Sequence, residues 1–505
     1  MTAVTRAALL SCAVLLSCRS GPSPVETPSG GNPDSAGAPS APAAAGTWRQ
    51  TPPPPPIILA APPAPTVSRV TLSTGLRVVV VEQHRRPVVV VTLVLPRGAL
   101  MDPPSDSGMT YMAVSLATDF YEQSATGDRI FEEKSLRRQA AEMGGAVGSM
   151  VQSDFSMIRI SGYAQDAREY LRMLARAAAE PRHGERSFLG RRNAALDAIE
   201  DLESSDPEAL QQLVADAAFG QGHPYARSVI GTTASLTPLG LEDVITHQQR
   251  VFVPRGATLL VVGDVRPVEM LAAATAAFGR WTGDSNPPPQ VWAPVVPAAN
   301  SQVAYLERRS ASTLLVCATR PLPDVRGEDA GLDVLAAILG RGVGGRLGAT
   351  LRDRNGLTYL ASADVVRRRQ ARAFVACSPL RADQAEMGVR LFRQVLDGAG
   401  EVPPTAAEVQ RAKAICLADL ESAYDDAYST AQTWVHAITV GTGAPRLEEE
   451  RADLERVTPA AVQRLARTIL RPRTTRWVVS GDRAAAIRAV EANGLGHLQR
   501  FAPGG

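Results

Sequence analysis

Asp201-Leu202-Glu203-Ser204 returns as Asp419-Leu420-Glu421-Ser422, 218 residues later. The same spacing carries Pro254 onto Pro472 and Gly263-Asp264 onto Gly481-Asp482. In both copies the Gly-Asp pair follows an apolar run, Leu259-Leu260-Val261-Val262 in the first and Trp477-Val478-Val479 in the second. One repeated tetrapeptide constrains little. Several matches at one spacing mark an ancestral duplication, so the chain is expected to fold as two versions of one lobe.

The 505 residues give room for two or three domains with full cores. A net charge of +2 supplies no concentrated basic surface, so no nucleic-acid partner is expected. Arg85-Arg86, Arg191-Arg192 and Arg367-Arg368-Arg369 are short and scattered, and read as solvated faces.

Residues 1–18 read as a secretory signal: Arg6 precedes the apolar stretch Ala7 to Ser17, too short to span a membrane as a mature helix. Leu15-Leu16-Ser17-Cys18 resembles a bacterial lipoprotein box, with Cys18 as the lipid attachment site. Leu9-Leu10-Ser11-Cys12 is a rival that leaves too short an apolar core before it. The reading without lipid is ordinary signal cleavage. Residues 19–66 form a Pro/Ala-rich tether, with 14 of the 38 prolines between residues 21 and 66. It lacks the apolar content to order itself and reaches about 40 Å as a flexible coil, further where proline stiffens it. A body held off a membrane of the bacterial cell envelope fits this pattern.

Residues 67–283 read as the first lobe. Val67 to Leu72 and Leu76 to Glu82 form a hairpin about Thr74-Gly75, and Val88 to Leu95 is apolar enough to be buried on both faces. A helix follows Ser105-Asp106, either of which could cap it, and another runs from about Phe131 to Met143. A strand pair over Ser149 to Gly162 precedes helices at Asp166 to Ala178, Glu185 to Glu203, Pro207 to Phe219 and Leu239 to Val251. The strand Ala257 to Val262 and a helix from Arg266 to Phe278 close the lobe. Residues 284–300, with Pro287-Pro288-Pro289, form a linker. Residues 301–505 repeat the order. The expected class is therefore α+β: two homologous lobes, each a mainly antiparallel sheet packed with long helices, in a clam-like shell. Beyond Cys12 and Cys18 the cysteines are Cys317, Cys377 and Cys416, all in apolar surroundings; they read as buried small hydrophobes, with room for at most one disulfide and none expected.

Gly75-Leu76-Arg77-Val78, the stretch from Pro103 to Ser107-Gly108, and Gly222-His223-Pro224-Tyr225 with Ile230-Gly231-Thr232 resemble the insulinase/pitrilysin family of zinc peptidases. So do Gly340 to Arg346 and Leu351-Arg352-Asp353-Arg354-Asn355-Gly356-Leu357-Thr358-Tyr359, and the resemblance spans about residues 67–485. It implies a peptidase with one zinc per two-lobed unit. The metal is held by two histidines of a His-x-x-Glu-His motif, whose glutamate is the general base, and by a further glutamate downstream. Histidines at i and i+4 share a helix face and converge on one ion.

Read onto this chain, that motif is degenerate. Tyr111 and Ser115 stand at the two histidine positions, Val114 at the base, and Ala198 at the distal glutamate; Glu200 is two positions off. None of the six histidines (His84, His183, His223, His247, His436 and His497) pairs with another at ligand spacing, and His223 reads as a loop residue. Asp119 and Glu122 are carboxylates on a wet helix face that could hold a hard cation weakly. No cofactor is expected, since the ligands for the family's zinc are absent.

The resemblance also implies that Arg352 and Tyr359 reach the substrate carbonyl, as donors suited to an oxyanion. The alternative places Arg352 in a local salt bridge and Tyr359 in the core. The loop Gly340 to Gly345 lacks the ending of a phosphate loop and is either a cleft lining or a turn between helices. Some family members work as pairs, one chain bearing zinc and one not. The leading expectation is therefore a non-catalytic partner that completes a peptide-holding chamber with a zinc-bearing homologous chain. The alternatives are a stand-alone peptide-binding scaffold and a peptidase with a displaced metal site.

Overall fold

A computed structural model describes residues 65–118, 135–179, 183–204, 206–220, 223–283, 303–308, 311–322, 327–342, 344–470 and 475–500. The signal, Cys18, the tether, the linker 284–300, Asp119 and Glu122 lie outside the described residues.

Each lobe is built on a six-stranded sheet. In the first, β1 (Val67–Thr71), β2 (Arg77–Glu82), β3 (Val88–Leu95), β4 (Ala146–Val151), β5 (Ser156–Tyr163) and β6 (Thr258–Gly263) run in the order β1-β2-β6-β3-β5-β4. In the second, β7 (Val303–Glu307), β8 (Thr313–Pro321), β9 (Ser362–Arg367), β10 (Arg372–Arg381), β11 (Arg476–Gly481) and β12 (Leu498–Arg500) run β12-β7-β11-β8-β10-β9. Five strands correspond one to one. The sixth does not: β1 joins antiparallel from the start of the first lobe, whereas β12 joins parallel from the end of the second. The sheets are mixed, with β2 parallel to β6 and β7 parallel to β11.

The repeated Gly-Asp closes the equivalent central strands β6 and β11. Gly263 has φ +147°, and a Cβ there would meet Val88 O at 2.2 Å, so the neighbouring strand passes too close for a side chain. Asp482 then accepts from Ala485 N and caps the helix Arg483–Ala492, while Asp264 pairs with His84 at 2.7 Å.

One face of each sheet carries its own lobe's helices; the other is covered by a helix of the opposite lobe. Helix Ala427–Val440 lays Ala427, Ala431, Trp434 and Val435 on Val79, Val81, Val90, Leu260 and Val262 of the first sheet. Helix Asp206–Phe219 lays Leu213, Val214, Ala217 and Ala218 on Leu315, Val375 and Val478 of the second. This exchange explains why β3 is buried over seven of its eight residues and β6 over all six. At roughly 1.5–3 kcal/mol for each large apolar side chain removed from water, the two crossed helices bind the lobes into one body.

Polar groups close the same junction. Tyr225, from the Gly-His-Pro-Tyr turn, donates its hydroxyl to Asp154 at 2.8 Å and accepts from Gln370 N of the second lobe at 3.1 Å. Arg369 N also donates to Asp154, at 3.1 Å. Burial and the adjacent Asp154 push the Tyr225 phenol well above its usual range. His223 accepts from Tyr225 N at 3.1 Å, which makes it a turn residue.

Two expectations are corrected. Cys317 and Cys377 form a disulfide, because β8 and β10 pair in a register that sets these residues opposite each other with Cα atoms 4.2 Å apart. Cys416 is buried and lies outside this disulfide. The helix after Ser105-Asp106 is capped by neither: it begins at Met109 behind Gly108, and its free N–H groups turn to Asp102.

Candidate functional site

The element that would carry the metal motif is helix Met109–Ala117. Its first turn is anchored by a buried polar cluster. Asp102 accepts from Gly108 N at 2.9 Å, Thr110 N at 3.0 Å and the Thr110 hydroxyl at 2.5 Å. His247 Nε2 lies 2.8 Å from that hydroxyl and 3.1 Å from Asp102. Asp102, Thr110 and His247 are all buried, so this carboxylate–hydroxyl–imidazole group orients the helix and meets no substrate. Gly108, with φ +94°, lets the chain turn in against Ile230 O, where a Cβ would stand at 2.2 Å. The cluster escaped the sequence reading because Thr110 and His247 are 137 residues apart and fit no motif.

The helix packs on Glu185–Ser204, Leu241–Val251, β4 and β5, all from its own lobe. Met112, Ala113 and Leu116 meet Phe188, Ala195 and Ile199 of the long helix. Tyr111, Ser115 and Ala198 are half-buried, Glu200 is exposed, and Val114 is fully buried in the sheet core. The fold thus preserves the two-helix junction where the family pattern sets its ligands. The side chains there are a phenol, a hydroxyl and a methyl group, which make no zinc ligand set. Among the described residues no group of three or more His, Cys, Asp or Glu is placed to hold a metal ion.

The duplicate of this junction has a different chemistry. At 218 residues beyond Tyr111, Ser115 and Ala198 stand Asp329, Asp333 and Cys416. They lie on Asp329–Gly340 and Ala406–Ser422, which pack together, and the first packs on β9 as its counterpart Met109–Ala117 packs on β4. Guanidinium groups fill this centre. Arg367 reaches Asp329 and Asp333, each at 3.1 Å. Arg341 binds Asp364 through Nε at 2.9 Å and Nη2 at 2.8 Å, with Asp419 at 3.6 Å and Asp333 at 3.8 Å. Burial pulls the Arg341 pKa down, but Asp364 and Asp333 outweigh it and hold the group above the usual arginine value. Burial holds the Asp364 carboxyl above its usual range, against the pull of Arg341.

The proposed substrate-side pair divides between the two expectations. Arg352, on the helical turn Ala349–Asp353, binds Asp353 through Nε at 2.7 Å, and this bond raises its pKa. Tyr359 is not in the core: it is 95 % exposed, next to the exposed Leu360. The turn bearing Arg352 packs on Arg346–Gly348 and Ala385–Gly398 of its own lobe, so the main packing of the chain does not join it to Tyr111, Ser115 and Ala198. Arg341, Gly342, Gly344 and Gly345 lie between Asp329–Gly340 and Arg346–Gly348.

The family model described as the Peptidase M16 inactive domain matches residues 238–416. No curated protein matches the chain. Among solved structures, a protease from Helicobacter pylori is similar with TM-score 0.73 at 18 % identity, over 82 % of this chain and 99 % of that one. The peptidase M16 inactive domain from Pseudomonas fluorescens gives 0.71 at 18 %, over 83 % and 98 %. The first half of the periplasmic protease PqqL from Escherichia coli gives 0.70 at 14 %, over 88 % and 100 %; against the whole of PqqL the match covers 52 % of that chain. The chain thus shares the two-lobed fold of these structures, and residues 238–416 are similar to the Peptidase M16 inactive domain.

Proposed function

We propose that this chain is the non-catalytic subunit of a two-chain peptidase at the bacterial cell envelope. It would complete a peptide-holding chamber with a zinc-bearing homologous chain and present Arg352 and Tyr359 to that chain's site. The observation that carries the reading is Tyr359, a phenol 95 % exposed beside the exposed Leu360. A donor held in solvent serves a group outside the chain. PqqL gives support: a body like this one makes up about half of it, so there such a body is joined to as much chain again. The Cys317–Cys377 disulfide favours an oxidising compartment, in line with a signal at residues 1–18 and lipid on Cys18. No helix among the described residues is long and apolar enough to cross a membrane.

Purification of the full chain from its native membrane, with metal analysis and identification of co-purifying chains, tests the proposal. A homologue carrying intact His-x-x-Glu-His and about one zinc per pair is expected, with peptide turnover falling on Tyr359→Phe or Arg352→Ala. A chain that runs alone, or that holds stoichiometric zinc itself, refutes it. A second reading, a stand-alone scaffold binding extended peptides, rests on β4, a sheet edge with Ala146 and Gly148 exposed. It predicts peptide binding that Arg352→Ala leaves unchanged.

A further inference from the structure

A cavity of about 440 Å³ opens on the inter-lobe face of the first sheet, apart from the two-helix junction. Side-chain alternation fixes its lining. Arg69 pairs with Val79, Thr71 with Arg77, and Arg77 with Thr258, so these residues share the face on which Val79 and Leu260 meet helix Ala427–Val440. That helix stops at Gly441, and the turn Thr442 to Ala444 of the second lobe roofs the cavity where the cover ends.

The chemistry of the lining is one-sided. Arg69 and Arg77 are diagonal neighbours on adjacent strands, close enough for two long side chains to converge. Neither has a carboxylate within ion-pair distance among the described residues. Arg69 lies over the Trp434 ring, 5.3 Å from its centroid, which holds its guanidinium beside the cavity. Thr258, 1 % exposed, lies beneath them in the lining. Two guanidinium groups that converge repel unless an anion lies between them.

We propose that this cavity is a binding site for an oxyanion, either the terminal carboxylate of a peptide or a phosphate, held by Arg69 and Arg77. Its walls come from both lobes, so the ligand ties the first sheet to the end of the crossing helix. The site stands independently of the proposed zinc-bearing partner.

Thermal unfolding and calorimetry of the full chain at low ionic strength test it, with three probes: a short peptide with a free C-terminus, the same peptide as its C-terminal amide, and inorganic phosphate. Sodium chloride at matched ionic strength is the control. At about 100 times Kd a probe should raise the midpoint by roughly 3 °C. Binding of the acid but not the amide identifies a peptide carboxylate; binding of phosphate alone identifies a free phosphate. Either supports the site if Arg69→Met with Arg77→Met weakens binding at least tenfold. Both arginines are exposed, so this variant should fold. No binding by acid or phosphate, or binding that survives loss of both arginines, overturns the proposal.

Discussion

Arg341→Met is the most informative single substitution in the second lobe. The guanidinium has a side chain 16 % accessible and grips Asp364, 12 % accessible, with two nitrogens. Asp419 and Asp333 complete its surroundings at 3.6 and 3.8 Å. An exposed ion pair would be worth about 1 kcal/mol or less, but removing one partner of a buried pair leaves the other charged without compensation and costs about 3–5 kcal/mol. Met keeps most of the volume, so the loss is electrostatic. It should also depend on pH. Burial already holds the folded Asp364 pKa above its unfolded value, and without Arg341, which lowers it, the pKa rises further. A carboxyl shifted upward on folding adds stability below its unfolded pKa and loses it as pH rises through the folded one. The deficit of the variant should therefore be largest near neutral pH and shrink toward pH 4–5. Denaturant midpoints at neutral pH and near pH 5, on the full chain, measure both quantities. Adding Asp364→Leu should recover more than half of the loss at neutral pH. A cost under about 1 kcal/mol, or one that does not change with pH, would show that the cluster is solvated and the reasoning wrong.

Restoring ligands by Tyr111→His, Ser115→His and Ala198→Glu should give about one zinc per chain by metal analysis, with no peptide hydrolysis while Val114 holds the base position. A folded triple variant that retains no zinc would show that the two helices do not hold the family geometry. Trp434→Ala should destabilise the chain by about 3–5 kcal/mol, seen as a lower denaturant midpoint, because this buried side chain seals the first sheet from the second lobe. Thiol titration of the denatured chain before and after reduction should differ by two groups, for Cys317 and Cys377; equal counts would disprove the bond.

Much of the fold was readable along the chain. Val88 to Leu95 and Ala257 to Val262 announced buried strands by unbroken apolar runs, and the Gly-Asp repeat located the equivalent β6 and β11. Local patterns carry such features because strand period and turn chemistry act over a few residues. What crosses the fold stayed hidden. Asp102 displaces Ser105 and Asp106 as the cap because the backbone folds back onto it. The disulfide depends on strand register, which three scattered cysteines do not encode. The crossing of Asp206–Phe219 and Ala427–Val440 between lobes is a matter of which apolar face each helix finds. At the candidate site, the ligand positions were assigned from the family resemblance, and the helices that carry Tyr111, Ser115 and Ala198 do pack together. The solvent-exposed setting of Tyr359 was not, since a tyrosine reads alike in a core or on a surface.

The crossed helices also bear on how the chain arose. A single ancestral lobe, with its own copy of this helix swung outward, would have left one sheet face bare to water. Two copies trading helices would have covered both faces at once, so the ancestor suited to this architecture is a symmetric homodimer with an exchanged arm. Fusing the two genes made that encounter intramolecular, with assembly no longer governed by protein concentration. The halves now differ: one junction carries Tyr111, Ser115 and Ala198, while its twin is an arginine–aspartate lattice. Neither half should be a viable product by itself, and a cut within residues 284–300 should yield two fragments that fold only when mixed.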